Sequence, residues 1–377
     1  MIAYGRQSIS RSDVNSVKKA LKSEYLTTGP LVEKFESALE SYTGTPAVVV
    51  SSGTAALHAT YAAIGISSGD EVITPPITFI ATQATAALLG AKIVFADIDY
   101  ETGCIDVDSV RKKITSRTKA IVAVDYAGHP AELTALKAIA KKHNVYLIED
   151  AAHSIGSVYR GMKVGGIADV TTFSFFPTKN ITSGEGGAIL SNDATLLTNA
   201  RLFARQGTRR NPKDFLISNQ GQWHQEFHSF GLNYRLPDIL CALGMSQLNR
   251  IDEFKAARTK LFEMYSEILS SFDNIQIPVK REYVDPMWHF YPIRVPAQSR
   301  RFVFDELRRA GIGVQVNYFP VHMQPVFQEI KEAENQLFNS EKFYSEEISL
   351  PMHLAPALRS RAYRKKLIST LHGALQD

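Results

Sequence analysis

The chain has 377 residues, more than twice the roughly 150 of a typical domain, so two domains are expected rather than one. A composition of 45% hydrophobic, 21% charged and 10% aromatic residues is that of an ordinary globular protein, and it excludes disordered, collagen-like, coiled-coil and mucin-like chains. Lys and Arg total 42 against 38 Asp and Glu, and the resulting charge of +4 is spread along the chain, so no nucleic-acid-binding stripe is implied.

Two cysteines, Cys104 and Cys241, lie far apart and can supply neither a disulfide framework nor a Cys-rich metal site, which suits a reducing cytoplasm. The N-terminus, Met1 to Gln7, lacks a basic start followed by an apolar run, and no window approaches about 18 uninterrupted apolar residues. Neither secretion nor membrane spanning is expected.

In chain order, Asp13 to Ser23 and Pro30 to Tyr42 carry apolar residues at helical spacing. Short apolar segments then alternate with helical stretches. The strand candidates are Ala47–Val50, Glu71–Thr74, Lys92–Phe95, Ala120–Val124 and Val145–Ile148, and the helices between them are Thr54–Ile64, Phe79–Leu89, Val107–Ile114 and Ala131–His143. Two more strands follow, Val170–Phe175 and Gly187–Leu190. Strands apolar on both faces and alternating with helices imply an α/β fold with a mostly parallel sheet of about seven strands, covered on both sides.

Around Pro212 to His228 the pattern dissolves, after which Pro237–Ile251 and Phe254–Leu269 read as long helices. Beyond Ile275 come an extended segment Phe290–Val295, a helix Arg301–Ala310, a strand Val314–Tyr318, and helices near Glu341 and Arg361. The expected division is a large α/β domain with the N-terminal segment, 1–250, and a small α+β domain, 251–377.

Three segments carry chemistry. Ser51-Ser-Gly-Thr-Ala-Ala-Leu57 follows a strand and opens a helix, where free backbone N–H groups make Gly53 and Thr54 a seat for phosphate; a plain turn with an N-cap reads equally from the same residues. Glu149-Asp-Ala-Ala-His153 ends the most apolar strand, and a buried Asp150 there needs a cationic partner, unless it serves only as a helix cap. Phe173 to Gly187 holds Lys179 between a strand and a glycine-rich turn, a context that suits an amine of lowered pKa with Schiff-base chemistry more than an ordinary surface lysine.

Ser52-Gly-Thr-Ala-Ala-Leu57, Thr78-Phe-Ile-Ala-Thr82, Glu149-Asp-Ala-Ala-His153, Phe173-Ser-Phe-x-Pro-x-Lys-Asn180 and Gly231-Leu-Asn-Tyr-Arg235 together resemble the DegT/DnrJ/EryC1/StrS sugar aminotransferases, from about Tyr4 to the C-terminal helix. The resemblance implies a fold-type I enzyme dependent on pyridoxal 5′-phosphate (PLP). It makes Lys179 the residue that binds PLP covalently and shuttles the proton, and Asp150 the partner of the pyridinium nitrogen. Phe79 stacks on the ring, His153 lies on its hydroxyl side, and Gly53, Thr54 and Ser174 surround the phosphate. Asn233 reaches the phosphate from a neighbouring subunit, implying a homodimer with shared active sites.

Further segments, Val124–Gly128, Lys179–Gly187, Leu232–Asp238, Ala242–Leu248 and Ile348–Met352, resemble the branch of that family in the pseudaminic acid pathway. That branch implies amino transfer from L-glutamate to C4 of a UDP-linked 4-keto-6-deoxy-N-acetylhexosamine. Tyr4, the loop Glu24-Tyr25-Leu26-Thr27 and Asn317-Tyr318-Phe319-Pro320 then align with substrate-contacting segments. The chain departs from the family at Asn317 and Phe176, where His is usual, and at Thr28, where Gln is frequent. Two alternatives stay open: C4 amination of another 4-keto sugar nucleotide, such as UDP-4-keto-L-arabinose or a bacillosamine or legionaminic acid precursor, and a non-catalytic PLP-binding regulator. A 3-dehydratase is disfavoured, because relatives with that chemistry carry His in place of the lysine.

Overall fold

The structure, a computed structural model, describes residues 1–217, 220–330 and 337–375. Its first helix, α1 (Arg11–Leu21), is fixed by a capping box: Asp13 N–H donates to Ser10 Oγ while the Asp13 carboxylate accepts from Ser10 N–H. Next, α2 (Pro30–Thr43) opens on a proline, which is preorganised for a first turn. Its Glu36 accepts from Val49 N–H and pairs with Arg201 through both oxygens, 3.0 and 2.9 Å.

The alternation read from the sequence appears as β1 (Ala47–Val50), α3 (Gly53–Ala63), β2 (Glu71–Thr74), α4 (Ala81–Leu88), β3 (Lys92–Phe95), α5 (Val107–Lys113), β4 (Thr118–Val124), α6 (Leu133–His143) and β5 (Tyr146–Asp150). A two-residue hairpin, β6 (Val158–Tyr159) and β7 (Met162–Lys163), precedes β8 (Val170–Ser174) and β9 (Gly187–Leu190). Seven of these strands form one sheet in the order β1-β9-β8-β5-β4-β2-β3. Its pairings are parallel except those of β9, which runs antiparallel to both β1 and β8.

Both faces of the sheet are dry, which is why its strands read as continuous apolar runs. Ile73, Ile121, Ala123 and Leu147 face a core shared with α6 and the C-terminal elements. Val72, Ala120, Val122 and Ile148 face the opposite core with α3 and α7 (Ala194–Ala204). The helix α7 has no counterpart in the sequence reading, although Asp193 caps it through Thr195 N–H and Leu196 N–H.

After the short pair β10 (Thr208–Arg209) and β11 (Glu226–Phe227), α8 (Asp238–Leu248) and α9 (Ile251–Leu269) lead to β12 (Val284–Asp285), which pairs with β6. A separate two-stranded sheet joins β13 (Tyr291–Arg294) to β14 (Glu347–Leu350), with α10 (Ala297–Arg309), α11 (Phe338–Glu346) and α12 (Arg361–Leu375) around it. The expected strand Val314–Tyr318 does not form. Gln315 and Ser349 exchange one pair of backbone bonds, and then Asn317 N–H donates to the Glu347 carboxylate at 2.8 Å instead of continuing the ladder. The first residues return to this region, where Ile2 bridges Ile312. No helix among the described residues is long and apolar enough to cross a membrane.

Candidate active site

Parallel strands deliver their carboxyl ends to one edge of a sheet, and ligands collect there. Here that edge gathers Ser52, Val124, Asp150 and Ser174 around a cavity of about 480 Å³, closed from outside by Tyr4, His289, Asn317 and Tyr318. This volume lies within the range of roughly 300–1,000 Å³ common for small-molecule sites.

Asp150 ends β5 and is 6% exposed. Burial raises the pKa of its carboxyl, and three features oppose that rise: the Thr82 hydroxyl donating to Oδ2 at 2.7 Å, Ala152 N–H donating to Oδ1 at 3.3 Å, and the charge of Lys179. Lys179 lines the same cavity from the turn after β8. Desolvation pulls its amine down to about 8, against the attraction of Asp150. Such an amine is neutral in a useful fraction of molecules near neutral pH, which a nucleophile or proton carrier requires.

His153 is buried, accepting or donating through Nε2 to the Tyr318 hydroxyl at 3.1 Å, and stacks on His289 with ring centroids 4.5 Å apart. Burial and the Lys179 charge hold both rings well below the usual histidine range, with their mutual repulsion adding to this for His289, so they stay neutral. Asn180, next to the lysine, donates through Nδ2 to the carbonyls of His153 and Met287, at 2.6 and 2.9 Å. The turn carrying Lys179 is thereby tied to both histidine-bearing segments.

At the opposite end, Ser52 caps α3 by accepting from Ala55 N–H, which leaves the Gly53 and Thr54 amides, the first of the helix, without helical partners. A Cβ on Gly53 would lie 2.8 Å from Ser174 Cβ, and one on Gly187 only 2.4 Å from the Ser52 carbonyl. The helix end is thus packed tightly against β8 and β9, and Gly53 and Thr54 line the cavity.

These residues fit PLP. A buried carboxylate lies where a ring nitrogen would need one, a desolvated amine shares its cavity, and a helix N-terminus cradled by glycine suits the phosphate. Phe79, 60% exposed, offers an aromatic face at the cavity wall. His153 Nδ1 is buried without a hydrogen-bond partner among the described residues, leaving a polar atom for a ring substituent to meet.

The cavity therefore brings together Tyr4, Gly53, Thr54, Phe79, Asp150, His153, Ser174, Lys179, Asn317 and Tyr318. It does not include the rest of the expected site residues. Glu24, Tyr25, Leu26 and Thr27 form an exposed loop before α2, anchored by Asp238 accepting from Gly29 N–H and Leu31 N–H at 2.8 and 2.9 Å. Asn233 is exposed and bridges Arg205 beyond the edge strand β1. Phe319 packs on Tyr344, and Pro320 is buried outside the cavity. Asn317 reaches the wall with its amide already donating to the Tyr4 hydroxyl and to Ser349 Oγ. His289, Gln315 and Thr178 line the cavity without having been singled out from sequence. His289 comes from a segment with no local motif, whereas Thr82 and Asn180 stand inside motifs whose spacing does not reveal what they bond.

A lysine and an aspartate sharing one cavity at the carboxyl edge of a mostly parallel seven-stranded sheet are the arrangement of a fold-type I PLP-dependent transferase. Residues 7–362 match the DegT/DnrJ/EryC1/StrS aminotransferase family. The UDP-4-amino-4,6-dideoxy-N-acetyl-beta-L-altrosamine transaminase of Campylobacter jejuni is 36% identical over 381 aligned positions, covering 98% of this chain and 97% of the relative. The solved structure of Helicobacter pylori PseC, an aminotransferase involved in the biosynthesis of pseudoaminic acid, superposes with a TM-score of 0.91 at 32% identity, covering 100% of this chain and 99% of that one. The PMP-form of the putative sugar aminotransferase Spr1654 from Streptococcus pneumoniae also gives 0.91, at 27% identity and 99% coverage of both chains. The chain belongs to the DegT/DnrJ/EryC1/StrS aminotransferase family. It is a PLP-dependent aminotransferase, and its solved relatives include sugar aminotransferases.

Proposed function

We propose that the protein transfers the amino group of L-glutamate to C4 of a UDP-linked 4-keto-6-deoxy-N-acetylhexosamine, a step of pseudaminic acid synthesis. The observation that carries the chemistry is the desolvated Lys179 amine sharing a cavity with the buried Asp150. The choice of sugar is supported by the full-length similarity to the Campylobacter transaminase and to PseC.

When bound, PLP supplies the electron sink that lets a Cα–H bond break. Burial raises the Asp150 carboxyl, and the Thr82 hydroxyl and Ala152 N–H favour its carboxylate against that rise; as a carboxylate it would favour a protonated ring nitrogen. Lys179 would hold the cofactor through Nζ, and its amine, brought down to about 8 by burial, is the group in this cavity able to take the proton from the substrate Cα in the first half of the reaction and give one back to the sugar C4 in the second. The Gly53 and Thr54 amides and Ser174 would hold the phosphate, Phe79 would stack on the ring, and neutral His153, bonded to Tyr318, would lie on its hydroxyl side.

We further propose a homodimer in the cytoplasm in which Asn233 and the loop Glu24–Thr27 complete the partner's cavity. Their exposure supports this, as do Trp223, Phe227 and Phe230, exposed on the stretch leading to Asn233. Residues 1–250 would hold the cofactor, with 251–377 closing over the sugar.

Glutamate paired with a panel of UDP- and dTDP-4-keto sugars tests the reading. UDP-4-keto-6-deoxy-L-AltNAc should give the highest kcat/KM, and a better substrate in the panel would overturn the choice. Sedimentation of the active enzyme should show a dimer; an active monomer would end the shared-site proposal.

A further inference from the structure

The outer wall of the cavity carries a chain of hydrogen bonds whose protons can be counted. Glu347, Ser349 and Asn317 are buried, and Tyr4 is half-buried and lines the cavity. Glu347 Oε2 accepts from Asn317 N–H at 2.8 Å, and its Oε1 meets the Ser349 hydroxyl. The Asn317 side-chain amide uses both of its protons, one on Ser349 Oγ at 3.0 Å and one on the Tyr4 oxygen. Ser349 and Tyr4 are also hydrogen-bonded to each other. From the other side, the Tyr126 hydroxyl donates to the Asn317 carbonyl and fixes the segment.

Glu347 has no ion-pair partner among the described residues. The groups facing it are the hydroxyls of Tyr4, Tyr126 and Tyr318 and the charges of Arg294 on β13 and Arg300 on α10. Burial outweighs both arginines and lifts the carboxyl to about 8, so it keeps a proton at neutral pH. Burial likewise holds the Tyr4 hydroxyl protonated, well above its ordinary value.

Only one arrangement of protons then satisfies the chain. Oε2 faces a donor, so the carboxyl proton sits on Oε1 and is donated to Ser349. Ser349 Oγ accepts twice, from Glu347 and from Asn317, and gives its own proton to Tyr4. The Tyr4 oxygen also accepts twice, and its proton, without an acceptor among the described residues, faces the cavity it lines. Ionising Glu347 reverses the chain: Ser349 donates to the carboxylate and becomes the acceptor for Tyr4, whose proton leaves the cavity.

We propose that Glu347 and Ser349 are positioning residues that turn the Tyr4 hydroxyl proton into the cavity, where it is donated to an oxygen of the acceptor sugar. The chain stands on its own four residues; that its recipient is a sugar rests on the function proposed above.

The test reads the sugar KM and kcat separately against pH, with saturating glutamate. In wild type the KM should hold steady to about pH 8 and rise about two- to tenfold by about pH 10, the worth of one hydrogen bond. In Glu347→Gln, whose amide donates to Ser349 as the protonated carboxyl does, it should keep its neutral-pH value throughout. Ser349→Ala should lose the rise, and Tyr4→Phe should show the raised KM already at neutral pH. The glutamate half-reaction, followed by cofactor absorbance, should match wild type in Glu347→Gln. Infrared difference spectra across the same pH range should show a carboxylic C=O band disappearing in wild type and no such band in Glu347→Gln. If a variant fails to fold, the wild-type KM profile and band still decide. An alkaline rise that persists in Glu347→Gln, or a wild-type KM flat across the range, overturns the proposal. If every keto sugar nucleotide is refused, the functional reading falls and the infrared band alone decides: a band confined to wild type keeps the chain, and identical spectra end it.

Discussion

Replacing Thr82 by Val removes one hydroxyl and keeps the shape of the side chain. That hydroxyl has one proton and three oxygens within reach: Asp150 Oδ2 at 2.7 Å, Thr78 Oγ1 at 3.0 Å and the Phe79 carbonyl at 3.2 Å. The proton goes to the carboxylate, the nearest and the only charged acceptor, while Thr78 donates to Thr82. A hydrogen bond to a charged group contributes about 1.5–3 kcal/mol, and 1.36 kcal/mol is one pKa unit, so the Asp150 pKa should climb by about 1–2 units. The working form is the carboxylate, so activity falls as pH drops through this pKa. The acid limb of kcat should therefore move to higher pH by about 1–2 units in Thr82→Val and return in Thr82→Ser, with activity well above the limb largely kept. A bound pyridinium lowers the same pKa in all three enzymes and cancels in the comparison. The assay is kcat against pH with saturating glutamate and keto sugar. Superimposable acid limbs for Val, Ser and wild type would refute the claim that Thr82 holds Asp150 ionised.

Lys179→Ala should abolish covalent PLP binding, seen as loss of borohydride-fixed cofactor. With a pKa of about 8, the neutral fraction of Lys179 rises from about one-tenth at pH 7 to about nine-tenths at pH 9, so PLP capture by the apoenzyme should accelerate about tenfold and level off; a rate still climbing in proportion to hydroxide at pH 9 contradicts this. Gly53→Ala places a methyl 2.8 Å from Ser174 Cβ and should weaken PLP affinity by about 1–3 kcal/mol, as overpacking does, which equilibrium dialysis would detect. Asp238→Ala removes both amide contacts at the start of α2, about 3–6 kcal/mol by the same accounting for charged acceptors, and a thermal midpoint equal to wild type would show that the anchor is dispensable. Asn317→His gives up one of two donations, to Tyr4 or to Ser349, and should change the kcat/KM ratio between 4-keto sugars about tenfold while the PLP absorbance stays put; an unchanged ratio would remove Asn317 from sugar choice.

Strands β1, β2, β3 and β9 were legible to the residue, because each is a four-residue apolar run buried throughout or on alternate positions and closed by turn residues. Val314–Tyr318 misled for a tertiary reason: its alternation is strand-like, but the Glu347 carboxylate intercepts the Asn317 amide that a ladder would use. Lys179, Asp150 and Gly53 were legible because each sits where a strand ends, within a short motif. His289 was not, since it meets Asn180 across 109 residues of chain and joins the cavity only through packing on His153. Asn233 and Glu24–Thr27 show the converse: a motif names them, yet the folded chain holds them away from its own cavity.

The two walls of the cavity are built differently, and this divides the labour of the site. The inner wall is made of strand ends and the start of α3, locked by the ladder of the central sheet and by contacts as close as that of Gly187 with Ser52. The outer wall is polar and assembled from distant segments, with Tyr4 bonded to Asn317, Asn317 to Ser349, and both Ser349 and the Asn317 amide to the buried Glu347. Burial lifts that carboxyl to about 8, so its bonds are made without a fixed charge at neutral pH. A wall held by side-chain hydrogen bonds can change a residue and reshape what it admits, while a wall held by sheet and helix cannot move without disturbing Lys179 and Asp150. The departures from the family pattern at Asn317 and Phe176 both fall on residues that line this cavity without belonging to the ladder, which is where a change of sugar leaves the transamination chemistry intact.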